Sequence, residues 1–432
     1  METKLARIAE IAKAKPKEQF TSLYHLLNRE MLFECHAELD ANKATGIDQV
    51  SKVEYERNLE QNINNLVDRL RNKGYKPQPV RRTYIPKDEK SMRPLGILAY
   101  EDKIVQRGLN KLLQAIYEQD FVDHSYGFRP GMNCHDALKE VNRIIEKGKI
   151  SYVVDADIKG FFTNVDHEWL MKFIELRIGD PNIKKLIVKF LKAGIMEKDI
   201  YEDTEAGVAQ GASISPVLAN IYLHYALDLW FQVIVKKFCR GQAEIVRYAD
   251  DFICCFQLKD DAERFYKALI KRLAKFNLEI AEEKTKILAF GRFAADNSKR
   301  QGLGKPETFD FLGFTHYCSN SSKGKFRVKR KTSRKKFKAK VKAFKLWLRA
   351  ERNLGTEEIM KTVRRKLIGH YTYYVITDNS QMMGTYRFQV SKLLFKWLNR
   401  RSQRRSFSFD KFNLFLKRNP LPVPKIYVNI YG

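Results

Sequence analysis

The sequence predicts an α+β fold that ends in a helical, strongly basic C-terminal domain. Short runs rich in β-branched and aromatic residues, among them VRRTYIP (80–86) and ISYVVDADIKGFF (150–162), indicate strands. Segments with apolar residues at helical spacing, such as LARIAEIAKA (5–14), indicate helices. The composition then changes, because residues 321–350 contain fourteen Lys or Arg and no acidic residue. Mixed strands and helices followed by this basic segment favour an α+β protein with a separate helical domain.

The composition is typical of a folded protein that binds a polyanion. The chain has 432 residues, enough for two or three domains, and 44% of them are hydrophobic. Its formal charge is +29, from 80 Lys and Arg against 51 Asp and Glu. We therefore expect a nucleic-acid partner. An anionic membrane is the competing partner, but we expect none, because no apolar run approaches the roughly 18 residues that span a bilayer and no signal-peptide core follows Met1.

The cysteines indicate neither a disulfide framework nor a zinc site. Six of them are scattered along the chain without any Cys-x-x-Cys pair, and no export signal accompanies them. We interpret them as buried thiols of a cytoplasmic protein.

The N-terminal part is predicted to combine helices with one hairpin. Residues 1–70 show helical spacing, interrupted by a loop at NKATGIDQV (42–50). A hairpin follows at 75–97, with VRRTYIP and RPLGI as its strands and KDEKS as its polar tip. The next helix carries six apolar residues on one broad face: Ile104, Val105, Leu109, Leu112, Leu113 and Ile116.

A buried helix and a second strand pair are predicted after residue 210. ISPVLANIYLHYALDLWFQVIV (214–235) is apolar almost all round, which indicates a buried helix. We expect Ser215 to be its N-cap and Pro216 to lie in its first turn. The strand pair around RYADDFICC (247–255) comes next, followed by the helix DAERFYKALIKRLAKF (261–276).

Two of the strand-like segments carry paired aspartates. Asp250 and Asp251 are adjacent, and Asp155 and Asp157 share one face of their strand because their spacing is two. Neighbouring carboxylates repel each other and are costly to desolvate. A solvated hairpin tip would explain the first pair, and a polar edge strand the second. If the two segments instead lie side by side, three carboxylates converge, and their oxygen atoms suit two Mg²⁺ ions that activate a 3′-hydroxyl.

These motifs carry a resemblance to a known family. YADD (248–251), preceded by DADIKGFF (155–162) and AQGASISP (209–216), resembles the reverse transcriptase palm, and the whole chain resembles a bacterial group II intron-encoded reverse transcriptase/maturase without an endonuclease domain. The resemblance implies a right-hand polymerase. Its N-terminal extension and fingers would occupy 1–120. The palm, with an antiparallel sheet, helices and the remaining fingers segments, would occupy 121–316, and a helical thumb or maturase X domain 317–432.

The resemblance also implies the metal ligands. In the family they are an Asp five residues before an aromatic residue and the two acids of YADD. The matching residues are Asp157 (five before Phe162), Asp250 and Asp251, which would be catalytic. The Ile158 carbonyl would be an additional ligand, and Asp155 a supporting acid. Two Mg²⁺ ions are expected, with Mn²⁺ as a substitute.

Further matches imply nucleotide-binding residues. Lys87 and Arg93, in IPKDEKSMRPLGI (85–97), would hold the triphosphate, although a solvated charged turn has the same pattern. Phe162 would exclude a 2′-hydroxyl by contact with the sugar, and its alternative is core packing beside Phe161. Three residues complete the predicted set: Gln210, Arg129 of GFRP (127–130) and Lys284 of EEKTKI (282–287), near the pyrophosphate.

One position departs from the family pattern. Ala209 precedes Gln210 and Gly211, where the family usually has proline. Because alanine frees a φ angle and restores an N–H, we expect a looser turn beneath the templating base pair.

The C-terminal basic segment is predicted to bind nucleic acid. Aromatic residues are interleaved with its charges, which favours phosphate neutralisation combined with stacking over a merely solvated helix face. The resemblance identifies this segment with the thumb, which would grip the template–primer and intron RNA. The predicted nucleic-acid contacts are Gly211, Arg334, Lys335, Lys336, Lys338, Arg364, Arg365, Arg400 and Arg401.

The resemblance predicts an RNA-directed DNA polymerase. It would add dNTPs to a DNA or RNA primer on an RNA template, and as a maturase it would stabilise folded group II intron RNA. Two alternatives stay open: a domesticated or defence-associated reverse transcriptase, and a maturase that acts only as an RNA-binding splicing factor. The intact acids argue against the last of these, whereas the sequence leaves the first alternative and the oligomeric state open.

Overall fold

The computed structural model describes residues 1–86, 91–198, 200–300, 302–401 and 407–431. The chain divides into two compact units. The first comprises Met1–Asn133, Ala156–Cys254 and Asp260–Lys286, and the second comprises Cys134–Asp155, Cys255–Lys259 and Ile287–Gly432. Each unit therefore combines segments that are distant in the sequence.

Helices and strands are mixed along the chain, so the predicted α+β class is confirmed. The helices are α1 (Glu2–Ala14), α2 (Arg29–Ala37), α3 (Lys52–Glu56), α4 (Leu59–Arg71), α5 (Tyr100–Tyr117), α6 (Cys134–Lys147), α7 (His167–Glu175), α8 (Pro181–Leu191), α9 (Ser215–Leu223), α10 (Lys236–Phe238), α11 (Lys259–Ala274), α12 (Ala294–Arg300), α13 (Arg334–Ala350), α14 (Thr356–Tyr374), α15 (Ser380–Leu398) and α16 (Phe409–Arg418). The strands are β1 (Val80–Pro86), β2 (Met92–Ile97), β3 (Tyr152–Asp157), β4 (Ile195–Glu197), β5 (Ile200–Glu202), β6 (Ala243–Tyr248), β7 (Asp251–Phe256), β8 (Lys286–Ala289), β9 (Phe309–Phe311), β10 (Phe314–Asn320) and β11 (Phe326–Thr332). Within the described residues they form sheets of order β2-β1-β4-β5, β6-β7-β3-β8 and β11-β10-β9.

The predicted N-terminal hairpin is confirmed. β1 and β2 pair antiparallel up to Pro86 opposite Met92. β1 also pairs in parallel with β4, where Val80 lies opposite Ile195. The tip segment KDEK (87–90) lies outside the described residues. The six apolar residues predicted to share one helical face are all buried in α5, which explains their spacing.

The long apolar helix begins differently from the prediction. Ser215 is its first residue, and Ile214 precedes it as an N-cap that makes no side-chain capping bond. The expectation that Ser215 caps the helix is therefore wrong. Its hydroxyl instead donates to the Ala209 carbonyl at 2.8 Å. The helical path then continues from α9 to α10 through two π-helical segments, His224–Asp228 and Phe231–Val235.

The same helix corrects the expectation about apolar runs. Ser215–Phe238 is 24 residues long with a mean hydropathy of 1.2, so among the described helices it passes the test of length and composition for a membrane span. A core helix passes the same test, and 67% of the tested window is buried inside the protein. Three of its polar residues are also enclosed: Asn220, His224 and Asp228.

The basic C-terminal segment begins with a hairpin and continues as a helix. β10 and β11 pair antiparallel from Phe314 opposite Thr332 onward. α13 starts at Arg334, where the Ser333 hydroxyl accepts from the Lys336 amide. The segment predicted as a helical domain, 317–432, therefore also contains β11 and most of β10. α13 and α14 both contact α15, and the apolar side of α13 is buried at Phe344 and Leu348.

Candidate active site

Asp157 and the Asp250–Asp251 turn lie at the same end of neighbouring strands. β3 is adjacent to β7 in the sheet, and the Ser151 amide donates to the Phe256 carbonyl at 2.9 Å. That bond joins the start of β3 to the end of β7, so the two strands run antiparallel. The end of β3 therefore reaches the start of β7, which brings Asp157 level with the turn. All three side chains are half-buried.

The backbone groups of Ile158 point away from the segment 279–281 that pairs with it. Ile158 forms an isolated antiparallel bridge with Ile280. The bonds on either side are donated by the Ala281 amide to Asp157 O and by the Lys159 amide to Glu279 O, both at 2.8 Å. In such a pair the bridging residues point their own backbone groups outward. The Ile158 carbonyl therefore faces away from residues 279–281, and it is available to a ligand on the β7 side.

Lys284 binds the first of the predicted metal ligands. Its backbone amide donates to the Ala281 carbonyl at 3.0 Å, which holds the residue in a tight turn beside Asp157. The Lys284 ammonium donates to Asp157 Oδ2 at 2.8 Å. This hydrogen bond raises the pKa of the Lys284 ammonium above its usual value. The sequence predicted Lys284 near the pyrophosphate but did not predict the partner it has here.

The donor chemistry of this end of the sheet suits a hard divalent cation, although the side chains are not gathered around one point. Carboxylate oxygens, such as those of Asp157, Asp250 and Asp251, are the ligands that Mg²⁺ prefers. Across the described parts of the chain, no group of three or more His, Cys, Asp or Glu residues is arranged to hold an ion.

The YADD turn is fixed by a buried arginine that the sequence reading missed. Arg247 and Asp228 are both fully buried, and the Arg247 Nε–H donates to Asp228 Oδ1 at 2.8 Å. One terminal nitrogen of Arg247 donates to Asn220 Oδ1 at 3.0 Å and to the Ala249 carbonyl at 2.9 Å. Ala249 has φ +58°, a left-handed conformation that is unfavourable for alanine. The guanidinium therefore holds the turn that orients Asp250 and Asp251.

A close backbone contact also supports this turn. A Cβ atom on Gly127 would lie 2.2 Å from the Ala249 amide nitrogen, so only glycine fits there. The Gly127 carbonyl accepts from the Asn220 side-chain amide at 2.8 Å. GFRP therefore packs directly on the YADD turn.

Arg129, the predicted nucleotide contact in GFRP, is turned inward. Its guanidinium is buried and donates to Glu118 Oε2 at 2.8 Å and to the carbonyls of Val122 and Ser125 at 2.8 and 2.9 Å. These contacts hold the loop before Gly127 in place. A contact of Arg129 with nucleotide stays a prediction.

Phe162 lies at the surface beside an aromatic residue that sequence reasoning missed. Phe161 is fully buried, whereas Phe162 is half-exposed. Phe162 contacts Phe128 edge-on, with ring centroids 6.3 Å apart. Phe128 is 47% exposed and has φ +62°, an unfavourable conformation for a bulky residue. The sequence signal was present, because Phe128 is the aromatic residue of GFRP.

The Gln210–Gly211 turn is tied at several points despite its missing proline. The Val208 amide donates to the Phe162 carbonyl at 2.8 Å, and the Gly96 amide of β2 donates to Gln210 O at 2.7 Å. The Ala209 carbonyl accepts from the Ala212 amide and the Ser215 hydroxyl. These bonds offset the freedom that alanine restores. A cavity of about 240 Å³ opens beside the turn, and Phe162 and Gln210 both line it.

The predicted triphosphate contacts lie at or near the hairpin tip. Arg93 is exposed on β2 opposite Ile85. Lys87 lies outside the described residues.

The cations predicted to bind nucleic acid differ in their surroundings. Exposed positions are occupied by Arg334, Lys335, Lys336, Lys338, Arg365 and Arg400.

Two of these cations are partly enclosed. Arg364 is half-buried, and its Nε–H donates to the Pro420 carbonyl at 3.5 Å. Arg401 is half-buried and donates to the Thr356 hydroxyl at 2.8 Å, and burial lowers the pKa of its guanidinium. Their direct contact with nucleic acid stays a prediction.

Known proteins with similar sequences point to one family. Residues 85–316, more than half of the chain, match the model of the family described as "Reverse transcriptase (RNA-dependent DNA polymerase)". The group II intron-encoded protein LtrA of Lactococcus lactis subsp. cremoris is 40% identical over 242 residues, which cover 56% of this chain and 40% of LtrA. Protein YkfC of Escherichia coli K12 is 34% identical over 238 residues, covering 48% of this chain and 62% of YkfC. A 91 kDa protein in the cob intron of Schizosaccharomyces pombe is 33% identical over 213 residues, covering 49% and 26% respectively. These matches confirm the resemblance drawn from the sequence motifs.

Proposed function

Because the chain belongs to the reverse transcriptase (RNA-dependent DNA polymerase) family, we propose that it copies RNA into DNA by adding dNTPs to a primer. The chain spans 40% of the length of LtrA and 62% of that of YkfC. The observation that carries the proposal is the position of Asp157, at the end of β3 and level with the Asp250–Asp251 turn.

In this proposal the three aspartates hold two Mg²⁺ ions, together with the Ile158 carbonyl. When bound, two such ions activate a 3′-hydroxyl and stabilise the charge of the departing pyrophosphate. The Arg247–Asp228 pair positions the turn, as judged from its bond to the Ala249 carbonyl. Lys284, whose ammonium donates to Asp157 Oδ2, would be the residue that protonates the departing pyrophosphate.

The incoming nucleotide would be held between the hairpin and the Gln210 turn. Arg93 and Lys87 would bind the triphosphate, and Gln210 and Phe162 would contact the base pair and sugar. The partial exposure of Phe162 in the lining of the cavity beside Gln210 supports a steric role, because a side chain at that position can meet a 2′-hydroxyl. The fold would be a right hand, with fingers in 1–120, palm in 121–316 and thumb in 317–432.

We further propose that the chain acts as a maturase on group II intron RNA. The relative named as a group II intron-encoded protein supports this proposal, as do the exposed cations of α13. RNA template, DNA or RNA primer and dNTPs would be its partners, in the cytoplasm.

The test is dNTP incorporation on poly(A)/oligo(dT) with Mg²⁺. Asp250→Asn and Asp251→Asn should each lower the rate by orders of magnitude, because each removes a charged ligand from a two-metal site. Asp68→Asn, at an exposed position in the last turn of α4, is the matched control and should retain the wild-type rate. Wild-type extension by a folded Asp250→Asn protein would contradict the proposal.

A further inference from the structure

A second cavity, of about 580 Å³, opens among three C-terminal helices of the second unit. That volume lies within the range of known small-ligand sites. Its lining comes from α13, α14 and α15: Lys336, Lys340, Ala343, Phe344, Lys366, Gly369, His370, Tyr373, Tyr374 and Tyr386. The cavity is separate from the one beside Phe162 and shares no lining residue with it.

The rim of this cavity is positively charged. Lys336 and Lys340 are four residues apart on α13, so they lie on one face of the helix, and both are exposed. Lys366 approaches from α14, with its ammonium 4.8 Å from the centre of the Trp347 ring. None of the described residues that line the cavity is acidic. Three ammonium groups around one opening form a site for an anion such as phosphate.

The wall of the cavity is aromatic. The His370 ring contacts the rings of Tyr386 and Tyr374, with centroid distances of 4.0 and 4.6 Å and interplanar angles near 30°. Tyr373 and Phe344 complete this wall. Nucleobases stack on surfaces of this kind, and stacking tolerates any base because every base has a π-face.

One buried polar group on this wall lacks a partner. His370 is only 8% exposed, and its Nε2 atom makes no hydrogen bond to any described residue. Burial lowers the pKa of His370 to about 4, and the nearby Lys340 charge makes a smaller contribution in the same direction. The ring is therefore neutral at physiological pH, with one nitrogen a donor and the other an acceptor. Buried polar groups are normally paired, so this nitrogen is an unsatisfied hydrogen-bonding group in a residue of the cavity wall.

We propose that this cavity binds one nucleoside 5′-monophosphate unit. The phosphate lies between Lys336, Lys340 and Lys366, and the base packs on the aromatic wall at His370. The unit is either an unstacked nucleotide of bound RNA or a free nucleotide. The first source rests on the proposed function, whereas the binding chemistry is the same for both.

Gly369 offers a way to close the cavity without removing any contact. It lies in α14, and a Cβ atom there would meet nothing within 4 Å. Gly369→Leu therefore places a side chain in the opening and improves the helix propensity. Gly384→Leu is the matched control, because Gly384 is also exposed and helical with nothing within 4 Å, and does not line the cavity.

The experiment is calorimetric titration of the full-length protein with AMP, adenosine and inorganic phosphate. A chelator is present, so that metal-dependent binding at the polymerase site does not contribute. AMP should bind at least tenfold more tightly than adenosine or phosphate. Gly369→Leu should weaken AMP binding at least tenfold, and Gly384→Leu should change it less than twofold. No AMP binding, or equal affinities in the two leucine variants, would overturn the proposal.

The source of the nucleotide is decided by competition with a structured RNA. If AMP displaces the RNA and Gly369→Leu weakens RNA binding, the cavity holds a nucleotide of the RNA. If AMP binds but leaves RNA binding unchanged, the cavity holds a free nucleotide. Wild-type primer extension is measured in parallel. Its absence would contradict the proposed polymerase function but would leave the AMP result in place.

Discussion

The Arg247–Asp228 pair gives the sharpest prediction about how the active-site turn is built. Both side chains are fully buried, and the arginine also donates to the carbonyl of Ala249. Asp228→Asn keeps the shape of the side chain but leaves the buried guanidinium without a compensating charge. Removal of one partner from a buried pair costs about 3–5 kcal/mol. We therefore expect the free energy of unfolding to fall by that amount.

A double variant separates stability from function. Arg247→Met combined with Asp228→Leu removes both charges and fills the space with apolar atoms. Such replacements are often neutral or stabilising, but Asn220 Oδ1 and the Ala249 carbonyl lose the arginine donor, so only part of the lost stability should return. Primer extension should not return, because nothing then donates to the Ala249 carbonyl. The left-handed conformation of Ala249 costs about 1–2 kcal/mol, and the hydrogen bond from Arg247 that stabilises it would be absent.

The measurements are urea unfolding followed by circular dichroism, and primer extension at 25 °C. Asp260→Asn is the control. It breaks the exposed Arg240–Asp260 pair and should change the unfolding free energy by less than about 1 kcal/mol. If Asp228→Asn loses no more than this control, the pair does not stabilise the fold as described. If the double variant extends primers at the wild-type rate, the pair does not position the turn.

Three further predictions concern selectivity, RNA binding and pH. Phe162→Ala should raise the kcat/KM for rNTP relative to that for dNTP on one template. If the ratio of the two values does not change, Phe162 only packs against its neighbours. Affinity for structured RNA should fall about 10³–10⁵-fold between 50 and 200 mM salt if roughly six to ten phosphates are contacted. Four cations of α13 should contribute to this salt dependence: Arg334, Lys335, Lys336 and Lys338. Neutralising them together should flatten the salt slope by about one unit per lost contact. Identical slopes for wild type and the quadruple variant would mean that these cations face solvent. Burial raises the pKa of Asp102 from 3.8 to about 6, so this carboxyl stabilises the folded state below pH 3.8 and loses that contribution as pH rises through 6. The free energy of unfolding of Asp102→Asn, measured by urea unfolding at several pH values, should therefore rise relative to that of wild type between pH 4 and 7. A constant difference between the two proteins would contradict the raised pKa of Asp102.

The sequence by itself determined the local elements and the identity of the acids. The hairpin of β1 and β2 follows from two β-rich runs around a polar tip, and both strands form where the pattern predicts them. α5 and α11 likewise follow from apolar residues at helical spacing. These features are readable because strand and helix periodicity depend only on neighbouring residues. The acids of YADD are recognisable for the same reason, since the motif is continuous.

Only the tertiary structure decided how the acids are held. Arg247 and Asp228 are 19 residues apart, and Gly127 lies more than a hundred residues before the Ala249 turn that it contacts. Lys284 and Asp157 are 127 residues apart. Ser215 illustrates the same limit, because its position before Pro216 predicted a cap, whereas its hydroxyl binds the Ala209 carbonyl of a folded turn. Such contacts depend on which segments the packed strands and helices bring together, and a local pattern of residues carries no record of that pairing.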